Sequence, residues 1–188
     1  MPVLCLEDGT LPWWPLPRRY SMVGAVISRR HSGPPARSAY DRALAMLARR
    51  EHSNRELQRR LSDLGYADDE VASAIGRLRE EHYQDDDRFA EVLLRSRVAQ
   101  GYGPLRLGAE LKSHGFADTR IRELLGAVDV DWGVCAANQL RRHYGAVGTI
   151  DHAERARRAQ FLLRRGFGAA TVRAVTQADM DTIADPDS

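Results

Sequence analysis

A short pattern recurs three times along this chain of 188 residues and constrains its fold more than any other feature. Each copy is a glycine followed by an aromatic residue, centred on Gly65, Gly115 and Gly166, so that the glycines are 50 and 51 residues apart. A leucine precedes each glycine by four residues, and Val or Ile follows it by six. Three copies in register with apolar partners on both sides predict a supersecondary unit repeated in tandem.

The residues before the first glycine predict two helices. Tyr40, Leu44 and Leu47 have the spacing of a buried helical stripe. Ser53 and Glu56 then have the form of a capping box, in which the serine hydroxyl accepts from the third amide and the glutamate reaches back. A second helix is therefore expected to begin at this point.

The glycine itself predicts where the second helix ends. Gly65 stands where the last turn needs a residue of positive φ, which glycine adopts without a Cβ penalty. Asp68 is then expected to cap a third helix. In the second copy Asp85 and Asp118 take the capping places, and Gly103-Pro104 replaces Ser53-Asn54 with a residue pair suited to a helix start.

We therefore predict an all-α protein of three tandem three-helix units, in an arrangement that could be elongated and curved. No alternating apolar and polar run is long enough to predict a strand. Proline and glycine punctuate the residues before the first unit, and aspartate is frequent after the third. The predicted division is a flexible leader at 1–38, helical units at 39–83, 84–130 and 131–177, and an acidic tail at 178–188.

Composition argues against several classes of function. The two cysteines, Cys5 and Cys135, have no companion at the spacing of a disulfide framework or a zinc site, which favours a reducing cytoplasm. No run approaches the roughly 20 apolar residues of a membrane helix. The chain lacks a phosphate-binding loop and a nucleophile with an activating base, so we expect no enzyme activity and no cofactor. Capping explains Asp85-Asp86-Asp87 better than a metal site does.

Charge is distributed unevenly along the chain. The total is 28 basic against 26 acidic residues, yet residues 132–177 hold eight arginines against two acids. Spacings of three and seven would place Arg155, Arg158 and Arg165 on one helix face. Such a stripe could bind phosphates or the carboxylates of a partner, or it could be a solvated face neutralised by the acidic tail. The candidate binding residues are Arg141, Arg142, Arg155, Arg157, Arg158, Arg164 and Arg165.

The repeated aromatic residues admit two interpretations. Tyr66, Phe116 and Phe167 could form a base-stacking ladder of the kind that single-strand binders use. Each of them follows a helix-terminating glycine, however, where a local hydrophobic contact commonly accompanies the cap. We therefore expect them to lie in the cores of the units.

Several segments of the chain resemble the RecX family, bacterial regulatory proteins that bind the RecA recombinase. The resemblance rests on Arg50-Glu51-His52-Ser53 with Glu56-Leu57, on Tyr83-Gln84-Asp85-Asp86-Asp87-Arg88-Phe89-Ala90, and on Gly101-Tyr102-Gly103-Pro104 ahead of Gly115-Phe116. It covers roughly residues 39–175. Gln84 departs from the leucine expected there, which should cost a packing contact, and the third unit matches only loosely.

The resemblance implies a non-catalytic negative regulator of RecA, with a place in DNA repair, recombination and the SOS response. It would engage the RecA filament on DNA as a monomer and depress ATPase, strand-exchange and co-protease activities. Single-stranded DNA, or the DNA within the filament, could be contacted as well. The competing interpretation is an independent DNA-binding protein, since two short helices joined at a glycine turn also describe a helix-turn-helix.

Overall fold

The computed structural model describes residues 37–145 and 151–184, and the side chains of residues 37–145 and 151–177. Most of the predicted leader and residues 185–188 of the predicted tail lie outside this description. The described residues form helices only, which confirms the all-α prediction. These helices are α1 (Ala39–Leu47), α2 (Asn54–Asp63), α3 (Asp68–Glu80), α4 (Asp86–Ala99), α5 (Pro104–Ser113), α6 (Asp118–Ala127), α7 (Trp132–Tyr144), α8 (His152–Arg164) and α9 (Ala169–Ala184).

Each successive trio of helices encloses a core of its own. Leu57, Leu61 and Leu78 are fully buried among α1, α2 and α3. Leu107 and Leu111 occupy the corresponding place in the second trio, and the third is built on Leu140, Phe161, Leu162, Phe167 and Val172. The leucine four residues before each cap glycine is buried in all three trios, because one face of the middle helix points inward throughout.

The three glycine turns have the same geometry. Gly65, Gly115 and Gly166 have φ values of 92°, 94° and 85°. The amide of the aromatic residue that follows each glycine donates to the carbonyl of the core leucine, at 3.3, 3.3 and 3.2 Å. Tyr66 and Phe167 are buried and Phe116 packs against the second core, which confirms the core interpretation of these aromatic residues.

Two predicted caps are wrong, and one predicted face is less buried than expected. Ala67 and Ala117 are the N-cap residues of α3 and α6, so Asp68 and Asp118 lie inside the first turn and make no capping bond. Their carboxylates still lie near the positive end of the helix dipole. On α1 the fully buried residues are Ala39 and Ala43, which allow the neighbouring helices to approach closely. The predicted stripe of Tyr40, Leu44 and Leu47 is only half-buried beside them.

Candidate partner-binding surface and unit junctions

The end of α5 docks against the start of α2, which joins the second trio to the first. Ser53 Oγ lies 2.9 Å from His114 Nδ1 and also accepts from the amide of Glu56 at 3.2 Å. The ring of His114 packs against Phe89, with centroids 4.7 Å apart. Burial lowers the pKa of His114, which favours the neutral ring. His114 is therefore a junction residue with partners on both neighbouring trios.

Gln84 and Asp86 complete this junction. Asp86 accepts from the backbone amide of Asn54 at 2.8 Å and from the side-chain amide of Gln84 at 2.9 Å. Gln84 is almost fully buried, with its amide nitrogen 3.4 Å from the carbonyl oxygen of His52. A leucine could make neither contact, so this departure from the family pattern supplies polar bonds where we expected a lost packing contact.

A buried carboxylate lies behind the same junction. Glu56 is 5% exposed, and its oxygens lie 2.6 Å from Arg50, 3.0 Å from His52 and 3.0 Å from Arg60. Burial alone would raise the pKa of Glu56. The close approach of His52 and Arg50 outweighs that effect and holds the pKa of Glu56 well below its usual range.

The third trio is joined to the second at equivalent positions. The amide of Gly103 donates to the carbonyl of Arg165 at 2.9 Å, and the amide of Leu105 donates to that of Gly166 at 3.0 Å. A Cβ on Gly103 would lie 2.4 Å from the carbonyl oxygen of Gly166, so this approach needs glycine. In both junctions the residue before a cap glycine meets the N-cap residue of the preceding middle helix.

Two of the seven candidate arginines serve the protein itself. The guanidinium of Arg165 donates to the carbonyls of Gln100 and Gly101 and lies over the ring of Tyr102. Arg158 is 6% exposed, pairs with Glu154 at 3.1 Å and lies 5.0 Å from the ring centre of Tyr144. The predicted face of Arg155, Arg158 and Arg165 therefore includes two side chains held by internal contacts.

The other five arginines lie on α7 and α8. Arg141, Arg142, Arg157 and Arg164 are exposed, and Arg155 is half-buried. Arg157 pairs with Glu154 at 2.7 Å, which lowers the pKa of that carboxyl. Arg142 and Arg164 make no side-chain hydrogen bond or ion pair with any described residue, and are the most available cations of the set.

Comparison with protein families identifies the first two trios. One family model, for the first three-helix domain of RecX, matches residues 39–78, and another, for its second three-helix domain, matches residues 85–125. The third trio lies outside both matches. None of the described helices is long and apolar enough to cross a membrane.

Curated proteins and solved structures agree with these matches. A regulatory protein RecX of Xanthomonas citri is 42% identical over 140 residues, which is 74% of this chain and 86% of that protein. One of Stenotrophomonas maltophilia is 40% identical over 156 residues, covering 83% and 96%. A crystal structure of RecX from Lactobacillus salivarius covers 74% of this chain and 93% of its own, with a TM-score of 0.60 and 22% identity, and therefore shares the fold.

Proposed function

Because this chain belongs to the RecX family of regulatory proteins, we propose that it binds the RecA filament on DNA and inhibits filament ATPase, strand-exchange and co-protease activities. The observation that carries the proposal is the 42% identity over 140 residues to a curated regulatory protein RecX, together with the family matches to the first two trios. In this proposal the protein acts in the cytoplasm as a monomer and catalyses nothing. Hydrolysis of ATP remains the work of RecA.

The two equivalent junctions support a mechanism for inhibition. A filament presents the same subunit surface repeatedly, and tandem units held by the same type of junction can contact several subunits at once. Each additional contact is intramolecular after the first, so avidity exceeds the affinity of any single unit. A protein that contacts neighbouring subunits and binds one filament state more tightly shifts the population toward that state, which slows a cycle that alternates between states.

Charge on the third trio suggests where the filament is contacted. The proposed contact uses the arginines that the fold leaves exposed on α7 and α8, above all Arg142 and Arg164. Arginine binds carboxylates and phosphates with paired hydrogen bonds, so the same face suits either RecA or DNA in the filament. Arg141, Arg155 and Arg157 lie on the same two helices, whereas Arg158 packs inside the third trio and Arg165 joins that trio to the second.

The experiment is an ATPase assay of RecA on single-stranded DNA with this protein added below and at stoichiometric amounts. Inhibition is expected at both amounts, since one bound molecule affects several subunits. An unchanged rate at saturating protein would overturn the proposal. Tight, sequence-specific binding to duplex DNA without RecA would instead favour the independent DNA-binding protein.

A pair of charge reversals tests the contact. Arg142→Glu with Arg164→Glu should weaken inhibition while leaving the circular dichroism of the helices unchanged. The matched control is Arg79→Glu with Arg95→Glu, which changes the net charge equally at exposed positions on α3 and α4. Equal inhibition by the two double variants would remove this face from the proposal and leave the rest standing.

A further inference from the structure

Four arginines line one groove on the first trio, far in sequence from the arginine-rich third trio. The groove has a volume of about 480 Å³ and lies between α1 and α2. Its arginines are Arg37, Arg42, Arg49 and Arg60, and Asp63 is the one carboxylate among the described residues that line it. We call it the arginine groove. The first trio as a whole is close to neutral, so this charge appears only once the helices are packed.

The positive charge in the arginine groove is only partly compensated. Arg60 donates to the buried Glu56 at 3.0 Å. Arg42 and Arg49 are exposed, and neither makes a side-chain hydrogen bond or ion pair with a described residue. Arg37 is held at the rim because its carbonyl accepts the Tyr66 hydroxyl at 2.7 Å. Like charges held close together in a concavity attract counter-ions and anionic ligands.

The second trio shows what a compensated version of this site looks like. Arg60 and Glu110 occupy the same place in the repeat, each directly before the buried leucine of the middle helix. Glu110 binds Arg97 with both of its oxygens, at 2.9 and 2.6 Å from Nε and Nη2. At this position the second trio has the carboxylate of Glu110, which neutralises Arg97. The first trio has Arg60 there instead, which adds a positive charge to the groove.

In the part of the chain that the structure describes, the repeat also accounts for the exposure of this face. His114 and Arg165, the residues before the second and third cap glycines, are docked on the preceding trio. Leu64 is their equivalent in the first trio, lines the arginine groove and is 37% exposed. Within the described residues no helix precedes the first trio, so nothing there covers the face by which the later trios dock.

We propose that the arginine groove binds the phosphodiester backbone of nucleic acid. The groove brings several cations together, which suits a ligand that carries closely spaced anions, and each guanidinium can bind a phosphate with paired hydrogen bonds. Met46 and Leu64 add apolar surface for sugars and bases beside the phosphates. This binding needs no RecA, so it stands or falls independently of the proposed inhibition.

The test measures fluorescence anisotropy of labelled oligonucleotides with the full chain and no RecA. The variant is Arg42→Glu with Arg49→Glu, and the control is again Arg79→Glu with Arg95→Glu, which makes the same change in net charge. Loss of two phosphate contacts should lower affinity about 10-fold or more and reduce the slope of log K against log salt by about 1.4 for a single strand. The control should stay within about 2-fold of the unchanged protein, because it alters only the overall charge.

Three further arms make the outcome decisive. Single-stranded and duplex probes of equal length tell which nucleic acid supplies the phosphates, and preferential loss in the Arg42/Arg49 variant with either probe supports the proposal. Equal losses in variant and control would overturn it, as would no measurable binding of either probe by the unchanged protein. Binding of poly-glutamate in the absence of oligonucleotide binding would also overturn it, in favour of an acidic protein partner.

Discussion

Ser53 and His114 are 61 residues apart in the sequence, yet Ser53 Oγ and His114 Nδ1 are 2.9 Å apart in the structure. The next junction places Gly103 against Arg165 in the same way, through a backbone hydrogen bond of 2.9 Å. At this position the first junction is therefore made by two side chains, whereas the second is made by a backbone amide and a backbone carbonyl. Both contacts occur at the same place in the repeat. The residue at the end of each middle helix therefore determines how that trio docks on the preceding one.

A double-mutant cycle should detect the first of these contacts. Ser53→Ala removes both a cap and a junction partner, whereas His114→Ala removes the partner and the packing on Phe89. The double variant should be more stable than the sum of the single effects predicts, with a coupling of about 0.5–1.5 kcal/mol in urea denaturation. Additivity within about 0.3 kcal/mol would show that the two residues are neighbours without an energetic link.

The second junction should be sensitive to a single methyl group. Gly103→Ala would bring a Cβ to 2.4 Å from the carbonyl oxygen of Gly166, and only a backbone shift can relieve that contact. We expect a loss of about 1–3 kcal/mol in the free energy of unfolding, because the two docking hydrogen bonds are disturbed. Proteolysis should also begin between the second and third trios.

Gly76→Ala is the control for this prediction. Gly76 lies inside α3, and a Cβ there would meet nothing within 4 Å. Alanine at an interior helix position should stabilise the protein by about 0.5–1 kcal/mol. If Gly103→Ala were as stable as Gly76→Ala, the close approach would not be needed.

The helices could be predicted from the sequence because their signals are local. Gly65, Gly115 and Gly166 mark helix ends by backbone conformation, and the buried leucine four residues earlier fixes the inward face. The caps at Ser53 and Asp85 follow equally local rules. Ala67 and Ala117 were missed because the adjacent aspartates compete for the same position in any sequence rule.

The junctions could not be predicted, because they join residues of different units and local pattern carries no distance across units. The sequence did hold one signal of the junctions, at the position before each cap glycine. This residue is apolar in the first unit (Leu64) but polar in the second (His114) and third (Arg165). His114 and Arg165 are the two that contact a preceding unit, at Ser53 and Gly103. Helical spacing predicted a shared face for Arg155 and Arg158. Arg158, however, also lies four residues before the buried Leu162, which is an inward position on the same helix.

The free energy of unfolding should depend on pH through the carboxylate of Glu56. Its pKa is lower in the folded state than in the unfolded chain, so its ionised form stabilises the fold above about pH 4.3. That contribution is lost as pH falls below this value toward the depressed folded pKa. Glu56→Gln should therefore cost about 1–3 kcal/mol at neutral pH, and the difference from the unchanged protein should shrink steadily in acid.

Glu91→Gln provides the comparison for the acid titration. Glu91 is exposed on α4 and makes no side-chain hydrogen bond or ion pair with a described residue. Its substitution should change the free energy of unfolding little at any pH. A difference between Glu56→Gln and the unchanged protein that stayed constant from neutral pH into acid would contradict the assigned role of the Glu56 carboxylate.

Arg158 and Arg157 should behave differently although both pair with Glu154. Arg158 is 6% exposed and also lies over the ring of Tyr144, so Arg158→Ala removes packing as well as charge and should cost about 1–3 kcal/mol in urea denaturation. Arg157 is exposed, and Arg157→Ala should leave stability nearly unchanged because water replaces the pair. Equal losses in the two variants would mean that burial does not distinguish them. Under conditions where Arg158→Ala remains folded, it should still inhibit RecA, since its side chain is buried in the third trio and is not part of the proposed contact.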